Sequence, residues 1–238
     1  MRHAARLLAV LLLAVLCLQL WFAARILMMR FIAPESTSFQ RSEMVRLLKE
    51  KQQVAWAQQW VDDDQLPRTL KRAVIASEDD GFAAHGGVDW DAIKGAWKKN
   101  EKALARAEAR KSKVPAKVVG GSTITQQLAK NLFLSGERTL LRKGQELVLA
   151  LMLEALLSKQ RILEIYLNSV EWGEGLFGAQ AAARHYFRMD AARLGAFEAA
   201  RLAVMLPAPK RFERAPGSAY VMGRAGLIVS RMTSAQMP

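Results

Sequence analysis

The sequence predicts an all-α protein carrying one membrane-spanning helix at its N-terminus. Three observations carry that expectation. Apolar residues recur at helical spacing from Ser42 to Leu206, no run alternates in a strand period over useful length, and Leu7 to Ala24 contain no charge. The 238 residues are enough for one large domain with an appendage, read as a cytoplasmic stub and anchor over 1–32 and a single domain over 33–238. Net charge is +13, with Lys and Arg outnumbering Asp and Glu by 35 to 22, which favours acidic partners: nucleic acid, anionic head groups or a phosphorylated substrate. The one cysteine, Cys17, excludes an intramolecular disulfide.

In chain order, Arg2 and Arg6 precede eighteen uncharged residues, just long enough to span a bilayer, and Ile26 to Met29 with Phe31-Ile32 prolong the apolar character. The preferred reading is an uncleaved anchor that leaves the rest of the chain outside the cytoplasm; a signal peptide ending near Phe22-Ala23-Ala24 is the alternative. Pro34 opens a linker, and Ser42 to about Val61 reads as an amphipathic helix. Asp62-Asp63-Asp64 lacks the glycine turn and distal Glu of a calcium loop and reads as a solvated turn. Leu66 to Ser77 is a helix that delivers the chain to Glu78, followed by the turn from Asp79 to Asp89. A carboxylate at the end of an apolar helix is placed for partial desolvation, which raises its pKa toward that of a working base. Within that turn His85 has no ligand cluster around it and reads as a hydrogen-bonded residue orienting the loop. Trp90 to Trp97 continues as a helix whose aromatics face either core or a membrane surface, and 98–117 is a basic, exposed stretch.

The densest stretch is 120–134. Gly120-Gly121 supplies a flexible entry, Ser122 or Thr123 can cap the following helix, and Gln127, Lys130 and Asn131 share a polar face opposite Ile124, Leu128 and Leu132. Hydroxyls at a helix N-terminus with a lysine further in suit a phosphate or diphosphate, although a solvated face explains the same pattern. Arg138, Arg142 and Glu146 are spaced by four, which fits a binding face or a surface ion-pair ladder equally. Leu147 to Leu157 is too short to span a membrane and reads as a buried core helix, Lys159 to Val170 as an amphipathic one. Glu171 to Gly178 reads as a glycine-rich turn, Ala179 to Phe187 as a small-residue helix, and Phe197 to Leu206 as a helix stopped by Pro207-Ala208-Pro209; Leu227, Ile228 and Val229 cap the core.

Taken in order, five of these stretches resemble the peptidoglycan glycosyltransferases of glycosyltransferase family 51. They are Glu78-Asp79-x-x-Phe82-x-x-His85-x-Gly87-x-Asp89; Gly120 to Asn131; Arg142-Lys143-x-x-Glu146 with Glu154; Ile162-Leu163-Glu164-x-Tyr166-Leu167-Asn168 through Trp172-Gly173 and Gly178; and Glu198-x-Ala200-x-Leu202-Ala203 with Leu206-Pro207-x-Pro209. The resemblance implies a lysozyme-like, two-lobed helical domain on a transmembrane helix, held in the cell inner (plasma) membrane with its catalytic part on the periplasmic side. It implies polymerisation of lipid II into β-1,4-linked glycan by inverting displacement of undecaprenyl diphosphate, with lipid II, the growing strand, the membrane and other cell-wall synthesis or division proteins as partners and no nucleic acid.

On that resemblance Glu78 is the base and Glu146 serves the donor side. Lys130, Arg138 and Arg142 place positive charge at the departing oxygen, with Lys143 as an extra cation, and Thr123, Gln127 and Asn131 orient sugar and phosphate. Asp79, Phe82 and His85 complete the substrate-binding set, Asp79 and Phe82 shaping the acceptor side. No cofactor is required by the sequence; assistance by Mg or Mn is implied by the family alone, and metal ligands are unassigned. Neither a Ser-x-x-Lys tetrad nor a Lys-Thr-Gly triad occurs, so no transpeptidase is expected. Two rivals remain open. One is a lysozyme-like hydrolase or lytic transglycosylase; the other is a basic, membrane-tethered scaffold acting through 94–117.

Overall fold

A computed structural model describes residues 2–109, 120–134 and 139–238. The N-terminal helix α1 (Arg2–Met28) is long and apolar enough to cross a membrane, and most of its surface is exposed. Helix α2 (Ser38–Lys51) begins at a capping box in which Thr37 and Gln40 satisfy each other's backbone N–H groups. It ends at Gln52, whose φ of 55° is left-handed. Helix α3 (Arg68–Glu78) buries Leu70, Ala73, Val74, Ile75 and Ala76, and packs between α9 (Ala196–Met205) and α11 (Ala219–Met232). Helices α5 (Ile124–Phe133), α6 (Leu140–Leu156) and α7 (Lys159–Ser169) form a second group, α5 touching both others.

Between the groups lie β1 (Ala57–Gln58), β2 (Glu171–Gly173), β3 (Leu176–Phe177) and helix α8 (Ala179–Phe187); the short α10 (Pro209–Phe212) leans on β2. The core runs through both groups and includes wholly buried Trp172, Tyr166 and Phe82. Trp172 Nε1 donates to the Leu202 carbonyl at 3.1 Å, so its one polar atom is satisfied while the ring fills the centre.

The all-α class holds, with five adjustments. The segment 171–178 is a β-hairpin rather than a plain turn, and β1 adds to it in parallel, giving the strand order β1-β3-β2. This explains why the helix expected over 42–61 runs instead over Ser38–Lys51. The chain after Gln52 is drawn off to pair Ala57 with Leu176, and Val54 is exposed rather than on a helix face. Of the expected core helix 147–157 only Leu149, Ala150, Leu153 and Leu157 are buried, leaving Val148 and Leu151 exposed. Conversely the expected amphipathic helix α7 is buried at every position from Ile162 to Ser169. On α4 (Trp90–Ala109), Trp90, Trp97 and Leu104 are exposed at seven-residue steps, which removes the core alternative for the tryptophans.

A knot of charges fastens α2 to the hairpin. Lys210 Nζ donates to Glu43 at 2.5 Å and sits 3.6 Å from Glu171, while Arg46 engages Glu43 and reaches Glu174 at 2.7 Å. Burial pushes Glu171 up to about 7, with Lys210 opposing the rise and Glu43 adding to it. Of the solvated Asp run, Asp63 is paired: its carboxylate meets the buried Lys71 at 2.7 Å.

Gly175 (φ +70°) sits where an added Cβ would lie 2.0 Å from the Ala55 carbonyl oxygen, so both its angle and its space require glycine. Gly226, inside α11, has open space around it. Gly175→Ala is expected to destabilise the protein by more than about 1 kcal/mol. Gly226→Ala should stabilise it by about 0.5–1 kcal/mol through helix propensity. Denaturant unfolding in detergent checks the pair, and a neutral Gly175→Ala would contradict the hairpin geometry.

Candidate active site

Glu78 is the last residue of α3, where the helix runs out of apolar neighbours and its side chain meets a cleft of about 360 Å³. The cleft is walled by Ser77 to Gly81, by Asp89, Ala92 and Lys99, by Gly120 to Thr123, and by Arg231. One Glu78 oxygen accepts from Gln127 Nε2 at 3.0 Å, and Gln127 Oε1 in turn accepts from the Tyr166 hydroxyl at 2.9 Å. Tyr166 therefore decides which way the Gln127 amide faces. Burial raises the Glu78 pKa; hydrogen bonds from Gln127 and Ser77 oppose that rise, and the Asp79 charge adds to it. Burial, reinforced by Glu78 and Asp79, holds the Tyr166 hydroxyl well above its ordinary range, so it stays a neutral donor.

Asp79 is buried and spends both oxygens inside the protein. Oδ2 accepts from the Ile124 backbone N–H at 3.0 Å, at the first turn of α5, and Oδ1 lies 2.8 Å from His85 Nε2. Because the Gly87 N–H donates to His85 Nδ1 at 3.1 Å, the proton of a neutral His85 belongs on Nε2, where it is donated to Asp79. Thr123 caps α5 by accepting from the Gln126 N–H, and its hydroxyl donates to the Gly87 carbonyl at 2.6 Å. Gly121 matters for approach rather than for an unusual angle: an added Cβ would lie 3.2 Å from Ile93 Cα of α4. Phe82 is buried beneath the turn, its ring under Lys159 Nζ at 4.4 Å. Lys159 also reaches Glu154 at 2.9 Å, and the Thr125 hydroxyl donates to the same oxygen at 2.6 Å.

Beyond Ser122, α6 carries the cations. Glu146 is buried and bridged by both Arg142, at 2.8 Å, and Lys143. Lys143 Nζ stands 3.5 Å from the Ser122 hydroxyl, which lines the Glu78 cleft. Thus of the expected residues Glu78 and Gln127 meet at one hydrogen bond, with Arg142, Lys143 and Glu146 linked to the same cleft through Ser122. Asp79 and Thr123 also line the cleft, and Phe82 and His85 pack behind it. Lys130 is half-buried and Asn131 buried on α5. Arg138 lies outside the described residues, as does 110–119 of the basic stretch.

Three contributors were not assigned roles from sequence. Tyr166 stood in a quoted motif, Ile162-Leu163-Glu164-x-Tyr166-Leu167-Asn168, and that was the available signal. Lys99 and Arg231 come from α4 and α11, distant in sequence, and nothing local marks them as cleft residues.

Among the described residues no group of three or more His, Cys, Asp or Glu side chains could hold a metal ion. The carboxylate facing the cations, Glu146, already has both oxygens engaged by Arg142 and Lys143. This donor set does not form a protein cage for a divalent ion.

The family model described as Transglycosylase matches residues 44–233. A biosynthetic peptidoglycan transglycosylase of Burkholderia lata is 52% identical over 223 residues, covering 94% of this chain and 86% of the relative. One of Bordetella pertussis is 47% identical over 237 residues, covering 98% and 95%.

A folded-state pKa above the unfolded one means that the native state holds its proton more tightly. Glu78 therefore stabilises the fold at low pH, and that contribution is lost as pH rises through its raised value. Glu78→Gln, which keeps an oxygen for the Gln127 donor, should raise the thermal midpoint at pH 8 by a few degrees. Below the ordinary glutamate pKa of about 4.3 the difference should vanish. A lower midpoint for the variant at pH 8 would mean that the ionised carboxylate is stabilised by its surroundings.

Proposed function

Because this chain belongs to the transglycosylase family, we propose that it is a peptidoglycan glycosyltransferase that polymerises lipid II into β-1,4-linked glycan with loss of undecaprenyl diphosphate. The observation that carries the reading is the placement of one desolvated carboxylate, Glu78, in a cleft whose rim leads through Ser122 to Lys143, Arg142 and Glu146. Glycosyl transfer by single displacement needs those two things. A base must take the proton of the acceptor 4-hydroxyl as its oxygen attacks C1, and cations must accept the charge that develops on the departing diphosphate oxygen.

In this mechanism Glu78 removes the hydroxyl proton, with Gln127 fixing its second oxygen. The new C1–O4 bond forms on the face opposite the departing diphosphate, so configuration at C1 inverts. Arg142 and Lys143 meet the diphosphate, and Lys130 and Arg138 belong to the same set by family resemblance. Glu146 acts through its two cations, holding them in place rather than facing the anion itself. Asp79, His85 and Thr123 are assigned as positioning residues that hold the Glu78 turn against α5, while Phe82 supports the turn from below; Asn131 is buried on α5.

Helix α1 is assigned as a single membrane span and 33–238 as the catalytic unit, on the periplasmic face of the inner membrane. The exposed Trp90, Trp97 and Leu104 of α4, interleaved with lysines, support contact with that membrane. A lipid-linked anionic donor diffuses in two dimensions, and a basic, anchored catalyst meets it there. Transpeptidation is not assigned to this chain.

With purified lipid II in bilayers, the full-length protein is expected to form glycan polymer, and Glu78→Gln to lose at least about a hundredfold in kcat while still binding lipid II. Solubilised cell-wall glycan with no polymer would favour the lytic reading instead. The acid limb of kcat/KM should lie above the ordinary glutamate range, since the base must be ionised and its pKa is raised. Gln127→Met, which removes a donor to the carboxylate, should move that limb to still higher pH. An unmoved limb would take Glu78 out of the base role.

A further inference from the structure

Helix α1 does not stand clear of the domain. Gln19, Phe22, Ile26 and Met29 fall at steps of three and four and share one face. Phe22, Ile26 and Met29 are buried, and Phe22 meets Phe133 of α5 edge-on with ring centroids 5.2 Å apart. Arg25 lies over the Trp21 and Phe133 rings at 5.0 and 5.5 Å, and Arg161 Nε donates to the Met29 carbonyl at 2.8 Å. At the inner end of this seam Gln19 and Gln145 exchange two hydrogen bonds, Gln19 Nε2 to Gln145 Oε1 at 3.0 Å and Gln145 Nε2 to Gln19 Oε1 at 3.1 Å.

Gln19 lies inside the uncharged run Leu7 to Ala24. An amide there has no water to turn to, so a reciprocal pair is the arrangement that satisfies both side chains. It stands nine residues before Met28, about 13 Å along the helix at 1.5 Å per residue. The start of α6 therefore lies alongside the anchor, not beyond its outer end. Leu140 and Leu141, at 93% and 86% exposure immediately before Arg142 and Lys143, suit that depth.

We infer that the Gln19–Gln145 pair is a positioning lock that fixes the depth of Arg142, Lys143 and Glu146 relative to the bilayer, so that a membrane-presented diphosphate meets them in register. The anchor is on this account a strut and not a tether. The inference rests on the polymerase reading of the same face, and the amides themselves touch no substrate.

The test uses full-length protein with Cys17→Ser and a bimane label at Leu141→Cys, in vesicles of phosphatidylethanolamine and phosphatidylglycerol containing lipid II. Gln19→Leu and Gln145→Leu should each raise KM for lipid II about tenfold, the loss of roughly one to two net hydrogen bonds. The kcat should stay within about twofold, and the label should shift to a more polar emission. A short-chain lipid II analogue in detergent should be turned over by both variants as by the parent, which also reports that they are folded. The double Leu variant, which leaves no orphaned amide, should keep the raised KM. Its return to the parent KM would mean that only the unpaired amide had mattered, and would overturn the lock. Unchanged KM and emission in the single variants would overturn it too. If the parent made no polymer at all, the polymerase reading would fall, and the emission shift would then decide the lock by itself.

Discussion

The site depends on one buried carboxylate, and it is not the one proposed to react. Asp79 joins the end of α3 to the start of α5 by accepting from the Ile124 N–H with one oxygen and pairing with His85 through the other. Take that bridge away and the helix bearing Glu78 and the helix bearing Gln127 lose their common reference. A charge buried in this way is costly unless its partners are fixed, and here they are: a helix N-terminal N–H and an imidazole whose tautomer is set by the Gly87 N–H. The Glu78 to Gln127 hydrogen bond and the orientation imposed by Tyr166 both follow from that registration.

The two neighbours at the end of α3 divide opposing demands between them. Asp79 is fully satisfied and buried, whereas Glu78 keeps one side toward the cleft and is held above its ordinary pKa by burial. A protein that only sought stability would not leave a partly desolvated carboxylate beside another carboxylate. Helix α6 shows the reverse: Glu146 is deeply buried yet carries two cations, so its burial orders Arg142 and Lys143 without leaving a bare negative charge.

Much of this was legible in the sequence where the signal is local. The cap at Thr123, the helix ending on Glu78 and the loop-orienting role of His85 could be read from neighbours within a few residues, because caps and turns are set by local backbone needs. What could not be read came from long range. The hairpin at 171–178 is too short to show alternation, and it exists because β1, more than a hundred residues earlier, pairs with it. Gly121 looked like a residue chosen for backbone freedom, while its actual requirement is the close pass of α4. Arg231 reaches the cleft only because α11 folds back on α3, and no motif in the last twenty residues announces it.

That packing has a consequence for how the protein is made. Helix α3, residues 68–78, is enclosed by α9 and by α11, which is the last helix of the chain. As the polypeptide emerges from the N-terminus onward, α3 can form early but cannot complete its walls until residues 219–232 have arrived. The Glu78 cleft, with Arg231 on its rim, is complete only then. A nascent chain that has not yet reached residue 219 carries the earlier helices and no finished cleft, so the site forms only once α11 has closed over α3.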